Sequence, residues 1–152
     1  IGTVPACVLD MDEVAPGTAM PYPEIGYGYT VSFTVEGCTE TPGTELFRSE
    51  DAVFYLSDPV SGMMGFARDG YLNTFRYRIL DGDSLHVTVQ GDGNSTTLIV
   101  NGRVIDRLET EKRWYNEGKS TMYYVPTLVF PLDRAGNFRS RITDLKVYNY
   151  IL

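Results

Sequence analysis

Histidine occurs once in these 152 residues, tryptophan once and cysteine twice, and positive charge is scarce, with 13 Lys and Arg against 20 Asp and Glu for a net charge of −7. Each shortage excludes something. Two cysteines, Cys7 and Cys38, without histidine partners at ligand spacing, make no zinc site and are too few for a disulfide scaffold. They read either as small core residues or as one bridge of the kind exported proteins keep, closing a loop of 30 residues and worth about 3 kcal/mol. An acidic chain has the wrong sign to neutralise phosphates, so neither nucleic acid nor an anionic membrane is an expected partner. The longest apolar-rich run, Tyr123 to Leu132, is interrupted by Pro126 and Pro131 and is too short for membrane insertion. The N-terminus, Ile1-Gly2-Thr3-Val4-Pro5, shows neither an initiator Met nor a basic-then-apolar leader, which reads as a segment excised from a longer chain. Helical patterning is missing too. Arg107 to Tyr115 holds good helix formers in Leu108, Glu109, Glu111 and Lys112 but no apolar stripe, and is expected to be a loop or a single turn.

What the chain does have is apolar residues (43%), 11 Tyr, 7 Phe and evenly spread Gly and Pro. That suits one domain, 1–152, with a sizeable core and no internal repeat or linker. Met11 to Gly28, with Pro16, Gly17, Pro21, Pro23, Gly26 and Gly28, reads as a long connector after a first strand from about Val4 to Asp10. From Tyr29 onward β-branched and aromatic residues alternate with polar ones at period two. Tyr29, Val31, Phe33 and Val35 take one face of a strand; Thr30, Ser32, Thr34 and Glu36 take the other. Further strands are expected over Thr44–Ser49, Ala52–Ser57, Met63–Arg68, Leu72–Ile79, Leu85–Gln90, Thr96–Val100, Met122–Phe130 and Ile142–Tyr148. Asn101-Gly102 between Leu98-Ile99-Val100 and Arg103-Val104-Ile105 is a strong hairpin signal, because a type I′ turn needs positive φ at both central residues. The expected fold is all-β, a two-sheet antiparallel jelly-roll sandwich with its first and last strands adjacent.

Three stretches carry a resemblance: Leu85-His86-Val87-Thr88-Val89, then Gly91-Asp92-Gly93, then Thr97-Leu98-Ile99-Val100-Asn101-Gly102. They resemble the middle of concanavalin A-like, laminin-G-like jelly rolls, with Ser84 where the family usually has Trp and Ile99 where it has Tyr. Ile142-Thr143-Asp144-Leu145-Lys146-Val147-Tyr148-Asn149 is similar to the closing strand of the same family. Val53 to Pro59, Met64 to Tyr71, Tyr115 to Lys119 and Thr127 to Leu132 resemble the jelly-roll domain attached to bacterial family 20 β-N-acetylhexosaminidases, in which a separate barrel carries the catalytic Asp-Glu pair. The resemblance implies a non-catalytic ancillary module of a secreted, cell-surface or periplasmic glycan-degrading enzyme. Such a module would bind glycan or dock on the parent's catalytic domain. A laminin-G-like protein-interaction or adhesion module and a small glycan-active enzyme are the alternatives.

Glycoside hydrolysis needs two carboxylates flanking the sugar bond, and the Glu-x-Asp-x-x-Glu run of family 16 glucanases, which share the jelly roll, does not occur. Glu109 and Glu111 lie among Arg107, Lys112 and Arg113 and read as a solvated loop. His86, mid-strand, reads as a packed, hydrogen-bonded histidine rather than a general base. Sugars are held by flat aromatic rings with amide and guanidinium donors, which makes Trp114 and Tyr115, expected in a loop, and Arg68, Tyr71 and Asn73, expected at a turn, the candidate ligand-binding residues. Tyr is equally a good strand residue. Laminin-G-like sandwiches often hold one Ca²⁺ at a loop edge, so Asp81, Asp83, Asp92 and Asn94 are the candidate calcium ligands, although Asp and Asn are also ordinary turn residues.

Overall fold

The computed structural model describes residues 7–20, 28–37, 42–50, 52–68, 71–80, 82–92, 94–109, 111–114, 122–125 and 134–152. Alternating burial along each segment shows why these residues are strands. In β2 (Tyr29–Glu36), Tyr29, Val31, Phe33 and Val35 are all buried, while Ser32, Thr34 and Glu36 lie toward solvent. The same period places Leu85, Val87 and Val89 of β7 (Leu85–Gly91) inside, together with Leu98 and Val100 of β8 (Ser95–Val100). Each inward row needs a second apolar surface to cover it, and the second sheet supplies one.

The larger sheet has six strands in the order β1-β13-β2-β7-β8-β9, with β1 at Cys7–Val14, β9 at Arg103–Glu109 and β13 at Arg141–Tyr148. The smaller sheet has five, β12-β3-β4-β5-β6, formed by Arg134–Ala135, Thr44–Arg48, Ala52–Ser57, Gly65–Arg68 and Tyr71–Thr74. A separate two-stranded ribbon pairs β10 (Glu111–Trp114) with β11 (Met122–Val125). All pairings are antiparallel. One buried cluster joins the two main sheets: Phe33 of the larger meets Phe47 of the smaller edge-to-face, ring centroids 5.2 Å apart. The result is a two-sheet antiparallel β-sandwich. No helix among the described residues is long and apolar enough to cross a membrane.

The first strand does pair with the last, Met11 with Leu145 and Val14 with Ile142. It runs further than expected, through Met11–Val14, because β13 gives those backbone groups a ladder to join; Ile1–Ala6 lie outside the described residues. The expected loop or turn from Arg107 is instead strand, β9 to Glu109 and then β10. Pairing with β8 and β11 overrides the helix formers there. Conversely β6 stops at Thr74, and Phe75 and Ile79 are buried from an irregular segment. Asn101 and Gly102 both adopt positive φ, 51° and 79°, as the hairpin requires. The Asn101 side-chain oxygen also accepts the His86 backbone N–H at 2.9 Å, and the Asn101 backbone N–H donates to the His86 carbonyl at 2.8 Å, tying the turn to β7.

Cys7 is a free, exposed thiol, which corrects the expected bridge from its side; Cys38 lies outside the described residues. Register places Cys7 level with Tyr148 and Thr30, at the start of β2, whereas Gly37 follows the far end of that strand.

Candidate functional site

In a regular strand, residues three apart face opposite sides of the sheet. Glu45 and Arg48 of β3 break that rule. Their strand is bulged against β4: Glu45 lies opposite Tyr55 and Phe47 opposite Phe54, which leaves Leu46 as the extra residue. Leu46 and Phe47 are both buried as a consequence, and the two charged residues flanking them emerge together on the outer face. There Arg48 Nη1 pairs with Glu45 Oε1 at 3.1 Å, the Glu45 side chain being only 17% exposed.

Three distant segments border this pair in an open groove of about 440 Å³, lined by Pro16, Gly17, Glu45, Arg48, Arg134, Ala135, Gly136 and Asn137. The joints are backbone hydrogen bonds: Ala135 N–H to Thr18 O (2.8 Å), Gly136 N–H to Leu46 O (2.9 Å) and Gly17 N–H to Gly136 O (3.2 Å). Asn137 Oδ1 accepts the Glu45 N–H at 2.9 Å, satisfying the donor that the bulge frees. Gly136 is required where the chains cross, since a Cβ there would stand 2.5 Å from the Glu45 carbonyl oxygen. Arg134 lies directly across from Arg48 on the neighbouring strand. Tyr55, half-buried, lies opposite Glu45; burial pushes its phenol up, Glu45 adds to the shift and Arg48 opposes it. The groove therefore combines a carboxylate, two guanidinium groups and an amide, with an aromatic ring beside it.

The residues expected to bind ligand fall elsewhere. Arg68 and Tyr71 are brought together as cross-strand partners on the β5–β6 hairpin, and Asn73 pairs with Phe66 one step along. Arg68 is half-buried, and its charge acts on the hydroxyl of Tyr29. Burial pushes the Tyr29 phenol far up, while a hydrogen bond with Thr96 and then Arg68 pull the other way. Trp114 is on a strand rather than a loop, its backbone paired with Met122; Tyr115 lies outside the described residues. His86 is exposed rather than packed, with Nε2 3.0 Å from the Ser32 hydroxyl and Nδ1 3.3 Å from that of Thr34.

The expected calcium set is not assembled. Asp83 and the Asp92–Asn94 pair flank β7 at its two ends, roughly 20 Å apart, too far to share an ion whose ligands sit about 2.4 Å from it. Asp81 lies outside the described residues. Asp92 Oδ1 accepts from the N–H of Asn94 (2.9 Å), the N–H of Ser95 (2.8 Å) and the Ser95 hydroxyl (3.1 Å), and Asp83 Oδ2 accepts from Leu80 N–H (3.2 Å). Both act as turn staples. Among the described residues no group of three or more His, Cys, Asp or Glu is placed to hold a metal.

The groove is not legible in the sequence because it joins residues about ninety positions apart. One signal is present: the adjacent apolar pair Leu46-Phe47 between Glu45 and Arg48 breaks the period of two, as a bulge does.

No family model and no curated protein matches the chain. Among solved structures it is similar to domain 4 of AbnA, a GH43 extracellular arabinanase from Geobacillus stearothermophilus, solved in complex with arabinotriose. The TM-score is 0.50 at 16% identity, over 89% of this chain and 68% of that one. The likeness is one of fold.

Proposed function

We propose that this chain is a non-catalytic, glycan-binding module of a secreted glycan-degrading enzyme, folded as one domain over 1–152, and that the groove beside Tyr55 is its binding site. The observation that carries the reading is the bulge in β3, which brings Glu45 and Arg48 out on one face next to Arg134, Asn137 and the Tyr55 ring. Guanidinium, amide and carboxylate groups answer the donors and acceptors of sugar hydroxyls, and an aromatic ring such as that of Tyr55, opposite Glu45, is the kind of group on which a pyranose stacks. The arabinotriose bound by the arabinanase domain supports glycan as the ligand class. Glu45 is the one carboxylate among the described lining residues, where glycoside hydrolysis needs two. The parent enzyme is read as a β-N-acetylhexosaminidase from the sequence resemblance of Val53–Pro59, Met64–Tyr71, Tyr115–Lys119 and Thr127–Leu132.

A glycan array probed with the purified chain tests the reading. Binding is expected in the range of about 10 µM to 1 mM, as a shallow site with one ring allows, and Tyr55→Ala should weaken it about tenfold with little change in melting temperature. Aryl β-N-acetylglucosaminide should not turn over. An array without hits, with the outer face instead binding a catalytic barrel, would replace glycan recognition by docking.

A further inference from the structure

The groove's charge is out of balance with both its own architecture and the chain. Arg134 and Arg48 are direct cross-strand partners, an arrangement that places Cα atoms about 5 Å apart and is unfavourable for like charges. Glu45 offsets one of the two through its 3.1 Å contact with Arg48. Arg134 is exposed and has no ion pair with any described residue. On a chain of net charge −7, this leaves an excess of one positive charge among the described lining residues of the groove. A groove built for neutral sugar alone gains nothing from the second guanidinium, because amide and hydroxyl donors serve hydroxyl groups without the repulsion. A planar fork that accepts no hydrogen bond and carries a permanent charge is suited to a carboxylate, which it meets through two parallel N–H···O bonds.

We infer that the groove selects glycans bearing a carboxylate, of the uronic or sialic acid type, with Arg134 meeting the acid group and the Glu45–Arg48 pair and Asn137 meeting the ring hydroxyls. This rests on the glycan-binding reading of the same groove and adds the ligand's charge to it. Arg48 has its orientation fixed by Glu45, so Arg134 is the residue that sets the preference.

The test is calorimetric titration, at low salt, of the purified chain with α-1,4-linked trigalacturonate and with its carboxyl-reduced counterpart, backed by an array holding neutral, sialylated, uronate-bearing and sulfated oligosaccharides. The acidic trisaccharide should bind at least tenfold more tightly than the reduced one, and the ratio should shrink as salt is raised. Arg134→Gln should bring that ratio to about one, chiefly through loss of the acidic trisaccharide's affinity; Arg134→Lys, which keeps the charge but not the fork, should retain part of the preference. Equal binding of the two trisaccharides by the unaltered chain, a preference that survives Arg134→Gln, or sulfated glycans outranking carboxylates would overturn the inference while leaving glycan binding in place. Silence across both titrations and the array would remove the glycan-binding reading itself, and the inference with it.

Discussion

The two sheets obey their patterns to different degrees. The larger one is regular in its middle: β2 meets β7 residue for residue from Tyr29–Gly91 to Val35–Leu85. Its outward row of Ser32, Thr34, His86 and Thr88 is simply the polar half of that alternation. In the smaller sheet β3 slips twice against β4, at Thr44/Glu45 and Glu45/Phe47, and beside those slips an open groove of mixed charge forms. Regular pairing produces a flat face on which neighbours are set by the register. A bulge re-aims side chains, and so can gather groups that the period of two would separate. In the function proposed above, the regular middle of the larger sheet serves as scaffold and the bulged strand of the smaller one carries the binding groups.

The strongest test of that division strikes where the sheets meet. Phe33→Ala and Phe47→Ala each remove a fully buried ring from the edge-to-face contact, and each should cost about 3–5 kcal/mol in urea unfolding. The double mutant should fall short of additivity by about 1 kcal/mol, the share due to the aromatic pair. Full additivity would mean that the sheets cohere by area alone.

Next in size come two glycines, Gly91 in β7 of the larger sheet and Gly136 just past β12 of the smaller one. Gly136→Ala sets a Cβ 2.5 Å from the backbone oxygen of Glu45, and Gly91→Ala sets one 2.5 Å from the Tyr29 ring. Each should cost about 1–3 kcal/mol, with Gly136 at the upper end because its obstacle is backbone. The functional outcomes should diverge: Gly136→Ala should weaken glycan binding together with stability, Gly91→Ala stability alone. Equal losses of binding would break the contrast between scaffold and site.

The same contrast explains what is legible in the sequence. Tyr29–Glu36 and Ala52–Ser57 have the bounds their alternation implies, since local pattern and tertiary burial agree there. Arg107–Trp114 misleads because its residues favour a helix singly, whereas the ladders of β8 and β11 decide the outcome collectively. Within β13 the burial spacing slips between Ile142 and Leu145, where Asp144 takes a φ of 55° and the register against β2 shifts; alternation alone does not locate that shift. The groove is illegible for a different reason. Its lining comes from Pro16–Gly17, Glu45–Arg48 and Arg134–Asn137, and nothing in any one of these segments names the other two. Aromatic residues expected in loops point elsewhere, and Trp114 proves to lie on a strand.

A smaller effect is expected at the hairpin turn. Asn101→Ala loses the hydrogen bond to His86 N–H and places alanine at φ 51°, for a cost of about 1–2 kcal/mol. Asn101→Gly, which relieves the φ but not the lost acceptor, should recover part of it. If both variants melt like the parent, the turn contributes nothing beyond connection.

The smallest effect separates two carboxylate-stapled loops, one in each sheet. Asp58, after β4, is buried, and burial alone would push its carboxyl up. The Ser61 hydroxyl and the N–H groups of Ser61, Val60 and Gly62 outweigh that and hold it below the ordinary carboxylate value. Asp92, in the β7–β8 loop, is exposed, and is held low chiefly by the Asn94 N–H; partial burial opposes this, and the N–H and hydroxyl of Ser95 and the Arg107 charge add to it. A carboxyl whose folded pKa lies below its unfolded one adds stability above the unfolded value, near 4, and loses it as the pH falls through the folded value. Melting temperature should therefore hold from pH 7 to about pH 5 and decline below pH 4. Asp58→Asn should lower the plateau and flatten the acid limb, since the amide cannot supply two acceptor oxygens to the loop. Asp92→Asn should do the same more weakly, because water replaces the lost bonds at an exposed turn. An acid limb as steep in Asp58→Asn as in the unaltered chain would show that the sensitivity comes from other carboxylates, and would leave the buried carboxylate of the smaller sheet no more pH-dependent than the exposed one of the larger.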